Sequence, residues 1–203
     1  MNEEEQGGKM NPWRMILSKP RVTLRWLLAN RPGYGVPLLT VLQGIAITFQ
    51  QVSNEELMRL VNFPVFVMMA VVTGPLWGAV AVYGGSYIMK WTGRVFGGVA
   101  NVMQLRMALA WASLPSLFQL LIVFGVLLRF GVTGAAIEPL AALQTGAISV
   151  AIGLWQLVLL IACLMEVQEY AFSKALGNIV LFTLVMFFVL LLPLILLGIL
   201  LVS

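Results

Sequence analysis

Histidine and aspartate are absent from the 203 residues, and cysteine occurs once, as Cys163. Without histidine there can be no Ser-His-Asp triad and no Cys-His pair, and the imidazole ligands on which most zinc sites are built are missing too. A lone cysteine excludes an intrachain disulfide. Its place in the apolar run Leu157 to Met165 makes it a small hydrophobe rather than a reactive thiolate. Charge is scarce as well, with 10% Asp, Glu, Lys and Arg against 61% hydrophobic residues. Together with a mean hydropathy of +0.98, that balance lies far from a water-soluble domain. No glycine loop for a nucleotide and no metal-ligand cluster is evident, so neither a cofactor nor an enzymatic activity is expected. Nucleic-acid binding is not expected either, because the net charge of +4 suits an arm facing anionic lipid.

What fills the chain instead is a set of long apolar runs. In hydrocarbon each backbone amide must be paired within its own segment or in a closed barrel, and runs of this length select helices. The fold class is therefore all-α, a polytopic integral membrane protein. Three regions follow: an acidic, disordered tail at 1–10, a basic amphipathic segment at 11–35, and five transmembrane helices over 36–203. The spans fall at about 36–51, 63–90, 105–129, 140–165 and 175–202, the first near the lower length limit. The polar start lacks an apolar stretch backed by a cleavage site, so no removable signal peptide is expected. Ten of the twelve basic residues fall on one side of the alternation: Lys9, Arg14, Lys19, Arg21, Arg25, Arg31, Lys90, Arg94, Arg106 and Lys174. Only Arg59 and Arg129 fall on the other. Positive charge resists translocation, which puts the amino terminus in the cytoplasm and the carboxyl terminus outside.

Four groups of residues stand out. Asn11-Pro12-Trp13 reads as a capped helix start, with Trp13, Ile16 and Leu17 on one face and Arg14, Ser18 and Lys19 on the other. In a second short helix Arg21 and Arg25 lie one turn apart among apolar residues. Both helices are expected at headgroup level as a surface arm on anionic lipid, with docking of a cytoplasmic partner as the alternative. In the second span Ala70, Gly74 and Gly78 recur every four residues, and Pro75 predicts a kink there; Leu114-Pro115 is a comparable break. That stripe is read first as a contact within the bundle, otherwise as a dimer interface or gate. Ala147 and Ala151 repeat it weakly. Gln43, Thr73, Ser113, Ser116, Gln119, Gln144, Thr145, Ser149 and Gln156 are neutral and suit interhelical hydrogen bonds rather than a charged relay. Glu166, with Glu169 three residues on along a continuing helix, shares the predicted cytoplasmic face with Lys90, Arg94 and Arg106. The cluster is read as a structural lock, with a lipid-headgroup or cation site as the alternative.

Several pieces in order resemble a known pattern: Asn11-Pro12-Trp13, Lys19-Pro20-Arg21-Val22-Thr23, Gly74-Pro75, Gly97-Gly98 before Gln104-Leu105, Ser113-Leu114-Pro115, and Gln168-Glu169 before Phe172-Ser173-Lys174-Ala175-Leu176. On these the chain resembles the bacterial branch of the Yip (Ypt/Rab-interacting protein) family of five-span membrane proteins, from Asn11 to the end. The resemblance implies a five-helix bundle with a cytoplasmic amino terminus. Eukaryotic relatives act in vesicle traffic, bind small GTPases and associate with one another. Their cytoplasmic region is much longer than the segment before the first span here, so GTPase binding is not carried over.

The function expected from these readings is a non-enzymatic organiser or adaptor in the bacterial plasma membrane. It would work through lateral helix contacts, as a homo-oligomer or with other membrane proteins, and through the basic arm. The alternative is an oligomeric transporter or channel for a small solute, ion or lipid, built around the breaks at Gly74-Pro75 and Leu114-Pro115.

Overall fold

The computed structural model describes residues 11–50 and 61–202, with side chains at 11–50, 61–143 and 146–189. The acidic tail, the last residue of the first expected span, and Arg59 lie outside the described residues. Every regular element among the described residues is helical. Two short helices, α1 (Pro12–Ser18) and α2 (Pro20–Asn30), precede α3 (Val36–Phe49). The next rod is α4 (Phe63–Ala79), a π-helical turn at Val80–Gly84, and α5 (Gly85–Val95). Then come α6 (Val102–Ala112), α7 (Pro115–Phe130), α8 (Ile137–Thr145), α9 (Ala147–Val167) and α10 (Phe172–Val202).

Four helical stretches are long and apolar enough to cross a membrane: Phe63–Val95, Val102–Phe130, Ala147–Val167 and Phe172–Val189. The chain is an integral membrane protein on that basis. The 33 residues of the first stretch extend about 50 Å, beyond the roughly 30 Å of hydrocarbon, long enough to tilt or to project from the apolar layer. By contrast α3 has 14 residues, about 21 Å of helix.

Three expected spans are interrupted or reset. Pro75 leaves α4 helical, and the irregularity lies one turn later in the π-helical Val80–Gly84. A proline withdraws one N–H, and neighbouring helices can hold the rest of the ladder. Between α6 and α7 the chain breaks at residues 113–114, where Pro115 takes the first position of α7. Serine hydroxyls occupy the loosened carbonyls: Ser113 donates to Ala110 O at 2.7 Å and Ser116 to Ser113 O at 2.6 Å. The expected span at 140–165 is split by Gly146, extended at φ −82° and ψ 171°. Gln144 and Thr145 precede that glycine and Ser149 follows it, a short polar patch that does not interrupt the hydropathy of the run as a whole.

The tightest crossing joins α3 to α4, antiparallel. Thr40 lies against Gly78, Gly44 and Ile45 against Gly74, and the Phe49 and Phe66 rings sit edge-on with centroids 5.8 Å apart. A Cβ on Gly44 would overlap the Gly74 carbonyl oxygen, and one on Gly78 would overlap that of Thr40. Helices in lipid associate by packing, so bare Cα atoms at a crossing are what allow backbone to touch backbone. Further on, α7 packs on α9 with the Phe118 and Trp155 rings stacked at 5.5 Å. Two apolar cores result. One gathers Phe63, Phe66, Ala70 and Val123 with Ala136 and Leu140. The other, at the opposite end, takes in Leu105, Met107, Trp111 and Leu164 together with Ile16, Leu24 and Leu27 of the two short helices.

Candidate functional site: the docked arm

The amino-terminal arm is folded onto the bundle. The Asn11 side chain caps α1 by accepting from Trp13 N at 3.1 Å, and Pro12 and Pro20 open α1 and α2 where a missing N–H loses nothing. The Trp13 ring meets that of Trp111 on α6 at 4.8 Å, and Tyr34 closes the group at 6.4 Å from each. Trp111 Nε1 donates to the Tyr34 carbonyl at 3.1 Å, so the buried indole keeps a partner. Thr23, Leu24 and Leu27 of α2 are fully buried. The arm's apolar face is thus covered by its own bundle.

Polar contacts complete the docking. Arg21 Nε donates to Glu166 Oε2 at 3.3 Å and Arg25 Nε to Oε1 at 2.6 Å. The carboxylate side chain is 10% exposed and the two arginines 51% and 73%. Glu166 stands in the last turn of α9, whose carbonyl end favours cations and disfavours an unpaired carboxylate. The hydrogen bond and charge of Glu166 raise the Arg25 guanidinium above its ordinary range.

The remaining charged residues singled out by sequence do not join this pair. Helix α9 ends at Val167, and Glu169 sits exposed in the following turn with φ +58°. The expected continuing helix is absent, so Glu169 does not share a face with Glu166. A left-handed residue reverses the chain, which separates positions that an unbroken helix would stack. Lys90 is half-buried and Arg94 exposed on α5, with no ion pair among the described residues. Arg106 lies over the Tyr83 ring of the π-helical turn at 4.3 Å, its Nε buried without a hydrogen-bond partner. Arg14 and Lys19 are exposed on the arm. Ala70, Gly74 and Gly78 are buried on α4, the glycines against α3. Pro115 is buried at the start of α7.

Between α5, the turn that follows it and the start of α10 lies a polar seam that the sequence did not announce. Gln168 Oε1 accepts from Ala100 N at 3.1 Å, and Tyr170 OH donates to the Gly93 carbonyl. Thr92 Oγ1 lies 2.7 Å from Asn178 Oδ1 and also within reach of the Ile88 and Met89 carbonyls, at 3.1 and 3.2 Å. One hydroxyl proton cannot serve three acceptors. Gln168 Nε2 and Asn178 Nδ2 are left buried without partners, both beside the bare Cα of Gly93. Turning over the Asn178 amide places Nδ2 on the Thr92 oxygen and frees the hydroxyl for a helix carbonyl. The only signal in the sequence is an amide at the foot of one span and another just inside the next.

Among the described residues no group of His, Cys, Asp or Glu could hold a metal ion. The arrangement offers instead a basic arm tied to an acidic helix end and rigid, closely packed helices. No curated protein and no solved structure matches the chain. A family model does, the Yip1 domain, over residues 13–201. That match runs from Trp13 in the docked arm to the last turn of α10, and the chain belongs to the Yip1 domain family.

Proposed function

We propose that this Yip1-family chain is a non-enzymatic organiser or adaptor of the bacterial plasma membrane, with five spans, a cytoplasmic amino terminus and an external carboxyl terminus. The docked arm carries the reading. A basic segment held against the bundle by Trp13, Arg21 and Arg25 presents cations at one membrane surface while the bundle anchors it. In this reading α3, the first apolar helix in the chain, is counted as a span beside the four long ones; what supports it is its antiparallel pairing with α4 from Thr40 to Phe49, which runs it alongside a helix long enough to cross. The non-enzymatic part rests on a sequence without His or Asp.

Lateral contacts have a surface to use. Since Gly44, Gly74 and Gly78 are consumed inside the chain, partners or further copies would bind on outward faces such as Leu121 of α7, Val158 of α9 and Phe188 of α10, all well exposed. Cross-linking in native membranes is expected to recover a self-complex or a membrane-protein partner through those faces. Repeated recovery of a lone monomer would sink the organiser reading. Impermeant thiol labelling of single cysteines at the two ends, in a Cys163→Ser background, is expected to mark only the carboxyl terminus from outside; both ends on one face would mean an even number of spans.

A further inference from the structure

We propose that Arg21 and Arg25 form a site for an anionic phosphate group at the membrane surface, with Glu166 as the positioning residue that aims them. Each arginine gives Glu166 only its Nε, one to each carboxylate oxygen. The terminal Nη edge, with its parallel N–H pair, is engaged by neither arginine among the described residues. That edge matches two oxygens of a phosphate, which a lysine ammonium cannot match. Two positive charges against one negative leave the group with net charge +1. Both side chains stay open to the surface although their Nε atoms are tied to a largely buried acid.

Position is fixed from the other side of the helix. Thr23, Leu24 and Leu27 are wholly buried, so α2 cannot roll, and Arg21 and Arg25 stand one turn apart along the seam between α2 and α9. Two forks held in place before binding lose less side-chain freedom on taking up a ligand than free surface arginines do. Arg14 and Lys19 are exposed on the same arm with no such anchor; they supply diffuse attraction. The site rests on the proposed placement of the arm at the bilayer surface, and not on the organiser activity.

The phosphate could belong to a lipid headgroup lacking its own cationic amine or to a dissolved phosphate, and the experiment separates them. The full-length protein is placed in nanodiscs of phosphatidylcholine with a minor share of phosphatidylglycerol. The fraction of phosphatidylglycerol held at the protein is read with a spin-labelled lipid. R21Q/R25Q is expected to reduce the retained fraction about tenfold. E166Q is expected to reduce it several-fold although it makes the protein more positive, and R21K/R25K to do the same with charge unchanged. Competition of the bound lipid by millimolar inorganic phosphate would assign the site to a dissolved anion; resistance would assign it to lipid. Retention in E166Q equal to or above wild type would overturn the positioning role, since diffuse attraction predicts that order. Retention unchanged in R21Q/R25Q, with no response to inorganic phosphate, would remove the site altogether. Should E166Q fail to give a monodisperse helical protein, R21K/R25K still separates the forks from diffuse attraction, because it keeps every charge; retention equal to wild type in that variant would overturn the site. A wrong topology would show in the labelling of the termini and leave these comparisons intact.

Discussion

Tyr170 sits in the turn between α9 and α10, 6% exposed, and its hydroxyl donates to the carbonyl of Gly93. Burial raises the phenol above its ordinary value of 10.0, with a backbone hydrogen bond from Gly98 opposing the shift. A group whose folded pKa is raised stabilises fully below the unfolded value and loses that contribution as pH climbs through the folded one. Unfolding monitored in detergent should therefore show a Tyr170 contribution that is constant below about pH 9 and fades above pH 10. Tyr170→Phe is expected to cost roughly 0.5–1.5 kcal/mol at neutral pH, the net worth of one hydrogen bond, since the Gly93 carbonyl still accepts from Phe96 N and Gly98 N. The variant should also show a shallower alkaline decline than wild type. Equal slopes for the two proteins between pH 9 and 11 would show that the phenol makes no such contribution. A residue such as Tyr170 is hard to find from sequence: its role comes from the turn that Glu169 makes at φ +58°, and no periodicity announces a left-handed residue that is not glycine.

At the scale of the element, the crossing of α3 and α4 is set by three glycines. Gly44→Ala and Gly78→Ala should each destabilise by roughly 2 kcal/mol or more, since the added methyl meets rigid backbone and the helices must part. Gly125→Ala in α7 is the control: a Cβ there meets nothing within 4 Å, and helix propensity alone predicts a gain of up to about 1 kcal/mol. Unfolding in mixed micelles measures all three, and a crossing variant as stable as wild type would mean that the helices meet less closely than Gly44 and Gly74 imply. These elements differ in how far the sequence disclosed them. The presence of long apolar helices follows from hydropathy, and the arm's caps at Asn11 and Pro12 follow from local chemistry. The stripe Ala70, Gly74, Gly78 is visible as a four-residue repeat, but the helix that fills it is not, because nothing in the repeat names Gly44. The π-helical turn at Val80–Gly84 lies in an apolar stretch where the usual pattern of alternation has no contrast to work with, whereas the break at Gly146 is marked only by the neighbouring Gln144 and Thr145, which read equally well as polar residues within one span. Glu166 illustrates the same limit at the site. It can be singled out as an acid at a helix foot, yet its partners come from Arg21 and Arg25, more than 140 positions away.

For the whole molecule, the question is whether arm and bundle are one cooperative unit. They share one apolar core, since Ile16, Leu24 and Leu27 pack with Leu105, Met107 and Leu164, but the arm is tied down by few groups and carries exposed basic residues at Arg14, Lys19, Arg21 and Arg25. Segments of that kind open locally, at a lower free energy than global unfolding. Trp13→Ala removes the ring that meets Trp111 at 4.8 Å, a half-buried aromatic contact worth roughly 2 kcal/mol. If α1 and α2 open as a unit, that loss raises the open population about thirtyfold. Trypsin cleavage after these basic residues should accelerate in proportion while opening stays fast relative to cutting. The midpoint for unfolding of the long helices should move little. The measurement is tryptic release of the arm in nanodiscs, followed alongside thermal loss of helical circular dichroism. An unchanged cleavage rate coupled to a lowered midpoint would show the reverse, an arm that leaves only when the bundle melts. Its core residues would then stabilise the entire fold rather than a separable surface segment.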